Sequence, residues 1–413
     1  MEPVTHVLTG ACLSRTGLNR RAAYATAAMA IAAEFPDIDT VWGFRGPVAG
    51  FQHHRGITHT FLGIPFEAAL VLAGFFVYHT LRAHKRNRAA EQIAAGTTAP
   101  DSLQANPRWG TLYVLLMLAL LSHLFLDYTN DYGLRPFFPF DGRWYAGSFV
   151  FIFDPLLFVL LLGGLVMPAL FGLVSREIGA RKERFRGRGW ARAALAAAVV
   201  LWCVRWFEHS RAVAMAEVQT MRQPGPAKTA TGATSPTEGP GSPAIDQQVE
   251  AGAAPEPERP LLQAQRSLAS PDPLSVFRWY TVTDFGPVYR LGVADTRIGT
   301  LVPGRILYKP VASPAIRVAE QTQLGRVYLD WSPMPAITSE SGAPVDFAGA
   351  APEDGYSTVL FRDPRFMGES PWSRDRSEPP LTGEVVLDGQ DHVLAQGING
   401  HFDRLQPKSS PSR

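Results

Sequence analysis

Long apolar runs lie almost wholly within residues 1–207, and the rest of the chain is polar with short alternating stretches. A helix needs about 20 apolar residues to cross ~30 Å of hydrocarbon. Phe61–Leu81, Gly110–Tyr128, Phe149–Val174 and the shorter Trp190–Phe207 fit that requirement, so the pattern predicts four spans. Val4–Leu18 and the alanine-rich Ala22–Phe35 are short for a full crossing; they read as a tilted or re-entrant pair turning at Asn19-Arg20-Arg21. Residues 218–272 are rich in Pro, Ala, Gly, Ser, Thr and Gln, with almost no large apolar residue before Leu261, a composition too polar to build a core. Beyond it, Val276–Val282, Val288–Val293, Arg326–Trp331, Ser357–Phe361, Gly383–Leu387 and His392–Gln396 alternate between Gly/Pro/Asp turns and read as strands. The expected fold is therefore mainly α. A polytopic helical membrane domain (1–210) is followed by a disordered linker (211–272), a small extracytoplasmic β-rich domain (273–405) and a tail (406–413). No internal repeat is visible.

Composition sharpens this reading. Charged residues are 18% of the 413, against about 25% in a typical soluble protein. The deficit belongs to the first half, so a single soluble globule is excluded. A net charge of +2 supplies no basic field for nucleic acid. Two isolated cysteines, Cys12 and Cys203, make neither a disulfide framework nor a thiolate metal site. The N-terminus lacks a basic region followed by an unbroken apolar core, so no cleaved signal peptide is expected.

Lys and Arg set the orientation. Residues 82–109 carry Arg82, Lys85, Arg86, Arg88 and Arg108, and residues 175–192 are more basic still, whereas 129–148 holds only Arg135 and Arg143. The two basic segments are then cytoplasmic. The 36–60 and 129–148 loops and everything after Phe207 lie outside.

Ionisable side chains in spans cost at least ~2.5–3.5 kcal/mol each, so they usually have a partner or a role. His123 and Asp127 stand four apart, on one helical face. Asp154 lies five residues into the next apolar run, Asp37 and Asp39 follow Pro36, and His6, His53, His54, Arg55 and His59 complete the set. The orientation, set by Lys and Arg alone, brings all of these to the outer ends of their segments. Imidazoles with carboxylates at one membrane face suit a divalent cation, zinc first, with manganese or iron also compatible. Singly, each feature has a bland reading: His123/Asp127 as a capped helix end, Pro36-Asp37-Ile38-Asp39 as a turn, Asp154 as the cap of a helix opening at Pro155.

The order Thr5-His6, Pro36-Asp37-Ile38-Asp39, His54-Arg55-Gly56-Ile57-Thr58-His59, His123-Leu124-Phe125-Leu126-Asp127, Asn130-Asp131-Tyr132-Gly133 and Asp154-Pro155 resembles the YdjM-like family of LexA-binding, inner-membrane-associated, metal-dependent hydrolases. The likeness covers roughly residues 1–175. The His/Asp order is more distantly similar to the zinc-dependent phospholipase C group. The resemblance implies His6, Asp37, His59, His123 and Asp127 as ligands, with Asp39, His54 and Asp154 as second candidates.

The expectation is a metal-dependent hydrolase in the bacterial cytoplasmic membrane, acting at its outer face on a phosphoester or lipid-linked substrate. Asp37 or Asp39 would bridge metals or act as general base, and the forked cation Arg55 suits a phosphate. Trp144, Tyr145 and the Phe137–Phe140 run would lie at headgroup level. Two other readings remain: a non-enzymatic scaffold or sensor with a structural metal, and a transporter, which the one-sided placement of the charges disfavours. His401 and Asp403 stand isolated in sequence.

Overall fold

The computed structural model describes residues 1–94, 107–177, 187–224, 259–343, 355–368 and 378–404. Much of the stretch read as a linker lies outside these.

Helix α1 (Pro3–Arg15) opens with Pro3 at its first position and the Glu2 carboxylate accepting from Val4 N (2.7 Å) and Thr5 N (2.8 Å). These contacts satisfy N–H groups that have no intrahelical acceptor. It packs on α2 (Ala25–Ala32) so closely that a Cβ at Gly10 would stand 2.4 Å from the Met29 carbonyl oxygen. Small residues carry this approach: Ala25, Ala28 and Ala32 are buried together with Leu112, Leu116 and Leu120. A 3-10 helix (Phe35–Arg45), α3 (Pro47–His53) and a 3-10 turn (Ile57–His59) lead into α4 (Gly63–Ala94). Then come α5 (Trp109–Thr129), α6 (Pro155–Glu177) and α7 (Arg188–Glu217).

Among the described residues, Gly63–His84, Trp109–Thr129 and Arg188–Glu217 are long and apolar enough to cross a membrane, while Pro155–Phe171 is shorter. The run expected to span from Phe149 starts its helix only at Pro155. The cause is local: Asp154 Oδ1 accepts from Leu156 N and Leu157 N (3.0 Å each) ahead of Pro155 at the first helical position.

The second half is rich in antiparallel sheet. A short ribbon joins β1 (Thr220–Arg222) to β2 (Leu261–Gln263). Strands β3 (Arg266–Pro271), β4 (Arg278–Asp284), β5 (Val288–Asp295) and β6 (Thr300–Tyr308) form a four-stranded meander. Helices α8 (Pro314–Glu320) and α9 (Gln323–Trp331) lead to a five-stranded sheet ordered β11-β10-β9-β8-β7, built from β7 (Ala336–Ser341), β8 (Ser357–Arg362), β9 (Gly383–Leu387), β10 (Val393–Ile398) and β11 (His401–Arg404). The expected strand Arg326–Trp331 is helical. Thr322 caps α9 by accepting from Gly325 N (3.0 Å), and Leu324, Tyr328 and Trp331 fall on one buried face at spacings of four and three. The stretch read as a linker is also shorter than expected: α7 runs on to Glu217, and β1, β2 and β3 fold at its two ends.

The two halves share a core. Val48, Phe51 and Tyr132 cluster with Ile316, Leu324, Tyr328, Trp331 and Phe361. Trp331 Nε1 donates to Tyr132 O (3.0 Å), Trp144 Nε1 to Asp330 Oδ2 (3.0 Å) and Gln323 Nε2 to Gln52 Oε1 (2.6 Å). The far end of α7 packs on the meander, with His209 beside Trp279 and Arg205 donating to Asp272 O at 3.4 Å.

Candidate metal centre

The side chains of Asp37, His59, His123 and Asp127 converge from three elements, with one donor atom from each lying within 4.8 Å of the others. His123 and Asp127 come from the last turns of α5, His59 from the 3-10 turn and Asp37 from the 3-10 helix Phe35–Arg45. His59 Nε2 stands 3.1 Å from His123 Nε2, 3.3 Å from Asp127 Oδ2 and 3.3 Å from Asp37 Oδ1. His123 Nε2 is 3.5 Å from Asp127 Oδ2 and 3.8 Å from Asp37 Oδ1. Donors bound tetrahedrally at about 2.0–2.1 Å, the usual zinc–nitrogen and zinc–oxygen distance, stand roughly 3.3–3.4 Å apart. The observed separations bracket that value.

The surroundings aim these donors inward. His123 Nδ1 lies 2.7 Å from the Ala33 carbonyl and donates to it, leaving the Nε2 lone pair facing the cluster. His59 Nδ1 lies 3.2 Å from Asp39 Oδ2. Such carboxylate and carbonyl partners fix the tautomer of a metal-binding imidazole. Asp127 divides its labour. Oδ1 is held by Arg55 Nη2 (2.9 Å) and the Met1 amino group, while Oδ2, which has no hydrogen-bond partner, faces the two imidazoles. Fully buried, that oxygen is an acceptor that a cation would satisfy.

Charge follows this geometry. Burial draws the Asp37 carboxyl upward, but the His59 hydrogen bond and the His123 charge outweigh it and bring the pKa to about 2. Burial likewise opposes ionisation of Asp39, and hydrogen bonds from His54 and His59 hold it well below the usual carboxylate range. Burial depresses His59, yet the neighbouring carboxylates of Asp127, Asp37 and Asp39 raise it to about 10. Without a cation the site therefore carries a proton on His59, which a bound cation would replace. Burial and the nearby Asp37 charge push Glu34 up to about 8.

The remaining sequence candidates are dispersed around this group. Asp37, Asp39 and His54 form a second cluster that could hold an ion, so Asp37 is common to both. Asp39 also takes bonds from Arg55 N (2.7 Å) and His54 Nδ1 (3.0 Å), which makes it the hub that positions the loop. His6 lies at the edge, its ring stacked 3.8 Å from that of His123 and its Nε2 3.4 Å from Asp127 Oδ1. Arg55 is buried. Its Nη1 donates to Gly133 O (2.8 Å) and Asn130 Oδ1 (3.2 Å), and its Nη2 to Asp127, so it braces a ligand; Nε alone has no partner. Asp154 is outside both groups, and its Oδ2 pairs with Arg205 Nη2 at 2.8 Å, where both side chains are fully buried. His53 stacks on Trp42.

Above the cluster lies a cavity of about 920 Å³ between the two halves. Asp37, His54 and Arg55 border it from below, and Tyr280, Arg365, Phe366, Asn399 and His401 from the β-rich side. Sequence reasoning missed this roof. His401 and Asp403 seemed isolated because their neighbours are hundreds of residues away: Asp403 Oδ2 accepts from Val48 N (3.4 Å). Arg365, also unremarked, is buried against Asp363 (2.7 Å) and donates to Asp131 O.

Residues 1–212 match the family described as YdjM inner membrane protein. The chain belongs to the YdjM family. Its family segment holds every donor of both clusters and ends within α7, ahead of the sheets. The chain is also similar to the uncharacterized protein YfhP of Bacillus subtilis (strain 168), with 25% identity over 167 residues. That match covers 38% of this chain and spans only 43% of the length of YfhP. No solved structure matches. Family and helices together make this a membrane protein with a possible metal-binding cluster.

Proposed function

We propose that the chain is a membrane-bound, metal-dependent hydrolase of a phosphoester or lipid-linked substrate at the outer face of the bacterial cytoplasmic membrane. The observation that carries this reading is the convergence of Asp37, His59, His123 and Asp127, with Asp37 bordering a roomy cavity. A divalent cation held there, zinc by its donor set, would polarise an ester oxygen and lower the pKa of a water toward ~7. The chain's own residues do the rest. Asp37 is the member of the group that borders the cavity, and its ionised carboxylate would hold the cation beside an entering ester. Asp39 orients His59, and Arg55 anchors Asp127. The β-rich half roofs the site and restricts access of bulk water.

Orientation rests on the basic segments 82–109 and 175–192. The cavity borders the opposite ends of α5 and α6, through Asn130–Tyr132 and Phe151–Ile152.

The test is phosphodiesterase turnover by the purified, zinc-loaded protein, with activity lost in His123→Ala. A second reading, a scaffold or sensor with a structural metal, is favoured by the deep burial of His59, His123 and Asp127. Full zinc occupancy without turnover of any phosphoester would select it.

A further inference from the structure

A 3-10 helix has three residues per turn, so positions three apart share a face. The segment Phe35–Arg45 uses its faces for three different surroundings. Pro36 and Asp39 are buried in the protein. Asp37, Thr40 and Gly43 border the cavity between the halves. Ile38, Val41 and Phe44 are 54%, 53% and 93% exposed, an apolar stripe unsuited to water. Beside this stripe runs a second hollow of about 440 Å³, bordered by Val7, Ala30, Ile31, Phe35 and Ile38 together with Glu34 and Asp37. Glu34 and Asp37 border the large cavity as well. The apolar groove and the roofed cavity therefore share Glu34 and Asp37, the second of which is one of the four donors.

We propose that this groove between α1, α2 and the 3-10 helix seats the acyl chain of a membrane phospholipid whose phosphoester lies beside Asp37 and whose headgroup occupies the roofed cavity. The inference deepens the hydrolase reading and rests on it for the word substrate, though not for the seat itself. Both spaces are largely apolar, and they differ in their polar groups: the groove has only the carboxyls of Glu34 and Asp37, whereas the cavity adds cationic and amide side chains. The groove offers aliphatic side chains and opens beside exposed apolar residues. The cavity sets Asn399, His401, Arg365 and Arg55 into an otherwise largely apolar lining. A substrate entering from water would have no use for the groove. A lipid entering sideways keeps its chain in an apolar setting throughout and brings its head to the Arg, His and Asn side chains of the wider chamber. Phospholipid is the occupant favoured over a second protein helix, because Glu34 and Asp37 line both the groove and the chamber and so make the two spaces continuous.

The test uses full-length, zinc-loaded protein in mixed micelles, as wild type, Ile31→Trp and Ala30→Phe. Ile31 is half-exposed, so its variant narrows the groove without disturbing the core even if Ala30→Phe fails to fold. Two probes are compared: long-chain phosphatidylglycerol and water-soluble bis(p-nitrophenyl) phosphate. The expected result is a fall of roughly tenfold or more in kcat/KM on the lipid, carried mainly by KM, with turnover of the soluble ester kept within about twofold. Equal effects on both probes, or none on either, overturn the groove assignment and leave the hydrolase reading standing. If wild type turns over neither probe, the hydrolase reading fails and photolabelling decides the seat. Phosphatidylglycerol carrying a chain diazirine should then label residues 30–38, and Ile31→Trp should abolish that label. Label elsewhere, or undiminished in the variant, overturns the seat.

Discussion

Each oxygen of Asp127 has its own partners: Arg55 and the Met1 amino group on one, the imidazoles of His59 and His123 on the other. A carboxylate so divided is held rigidly while its free lone pairs face the cation site. Asp39 plays the complementary part, ordering His59 from behind. Loss of such an outer partner typically costs 10–100-fold in metal affinity. Asp39→Asn should therefore keep the fold and weaken zinc binding by roughly that factor, read by calorimetric titration. A separate residue gives a pH signature. Burial raises the Asp131 carboxyl to about 6 from an ordinary 3.8, although Arg365 opposes the shift. A raised acid pKa means the folded state binds the proton more tightly than the unfolded one, so Asp131 lowers stability above about 6 and this cost fades as pH falls toward 3.8. Asp131→Asn should raise the melting temperature at pH 8 and flatten its dependence over the window from about pH 3.8 to 6. An unchanged slope would remove Asp131 as the source.

At the level of elements, the apolar lengths of α4, α5 and α7 were legible because a membrane helix writes its identity into an unbroken run. His123 and Asp127 were legible for the opposite reason, as costly exceptions within such a run. The partners of the exceptions were not legible. Asp154 looked like a ligand, but what meets it is Arg205, from α7, together with the backbone N–H groups that open α6. Removing one member of a buried pair typically costs 3–5 kcal/mol. Asp154→Ala should therefore destabilise the protein by about that much while leaving zinc stoichiometry intact, a combination that melting curves and metal analysis resolve together. Helix α9 failed as a strand because short apolar runs fit both periods. Its decisive signals were Thr322 as cap and the Leu324, Tyr328, Trp331 spacing. The 3-10 helix was seen only as a Pro-Asp turn, since its three-residue period needs the surroundings of each face to become visible.

On the scale of the whole molecule, the β-rich half is built into the membrane half. Tyr132, Phe51 and Trp331 share one core, and the cavity between the halves exists only when both are present. Contacts of this kind join residues 199 positions apart, as Trp331 and Tyr132 are, and leave no local trace in sequence. The proposed orientation makes a direct demand. In a background lacking Cys12 and Cys203, Phe140→Cys and Ile298→Cys should react with a membrane-impermeant maleimide added outside spheroplasts, and His84→Cys should not. Labelling of Phe140→Cys and His84→Cys from the same side would reverse or break the topology.

The central claim is that side chains far apart in sequence hold one cation beside the cavity. Metal analysis of the purified full-length protein tests it most directly, comparing wild type with His123→Ala, Asp127→Ala and Asp154→Ala. The account predicts bound zinc in wild type and Asp154→Ala and its loss in the other two. Equal metal content in wild type, His123→Ala and Asp127→Ala, or none in any of them, would contradict it.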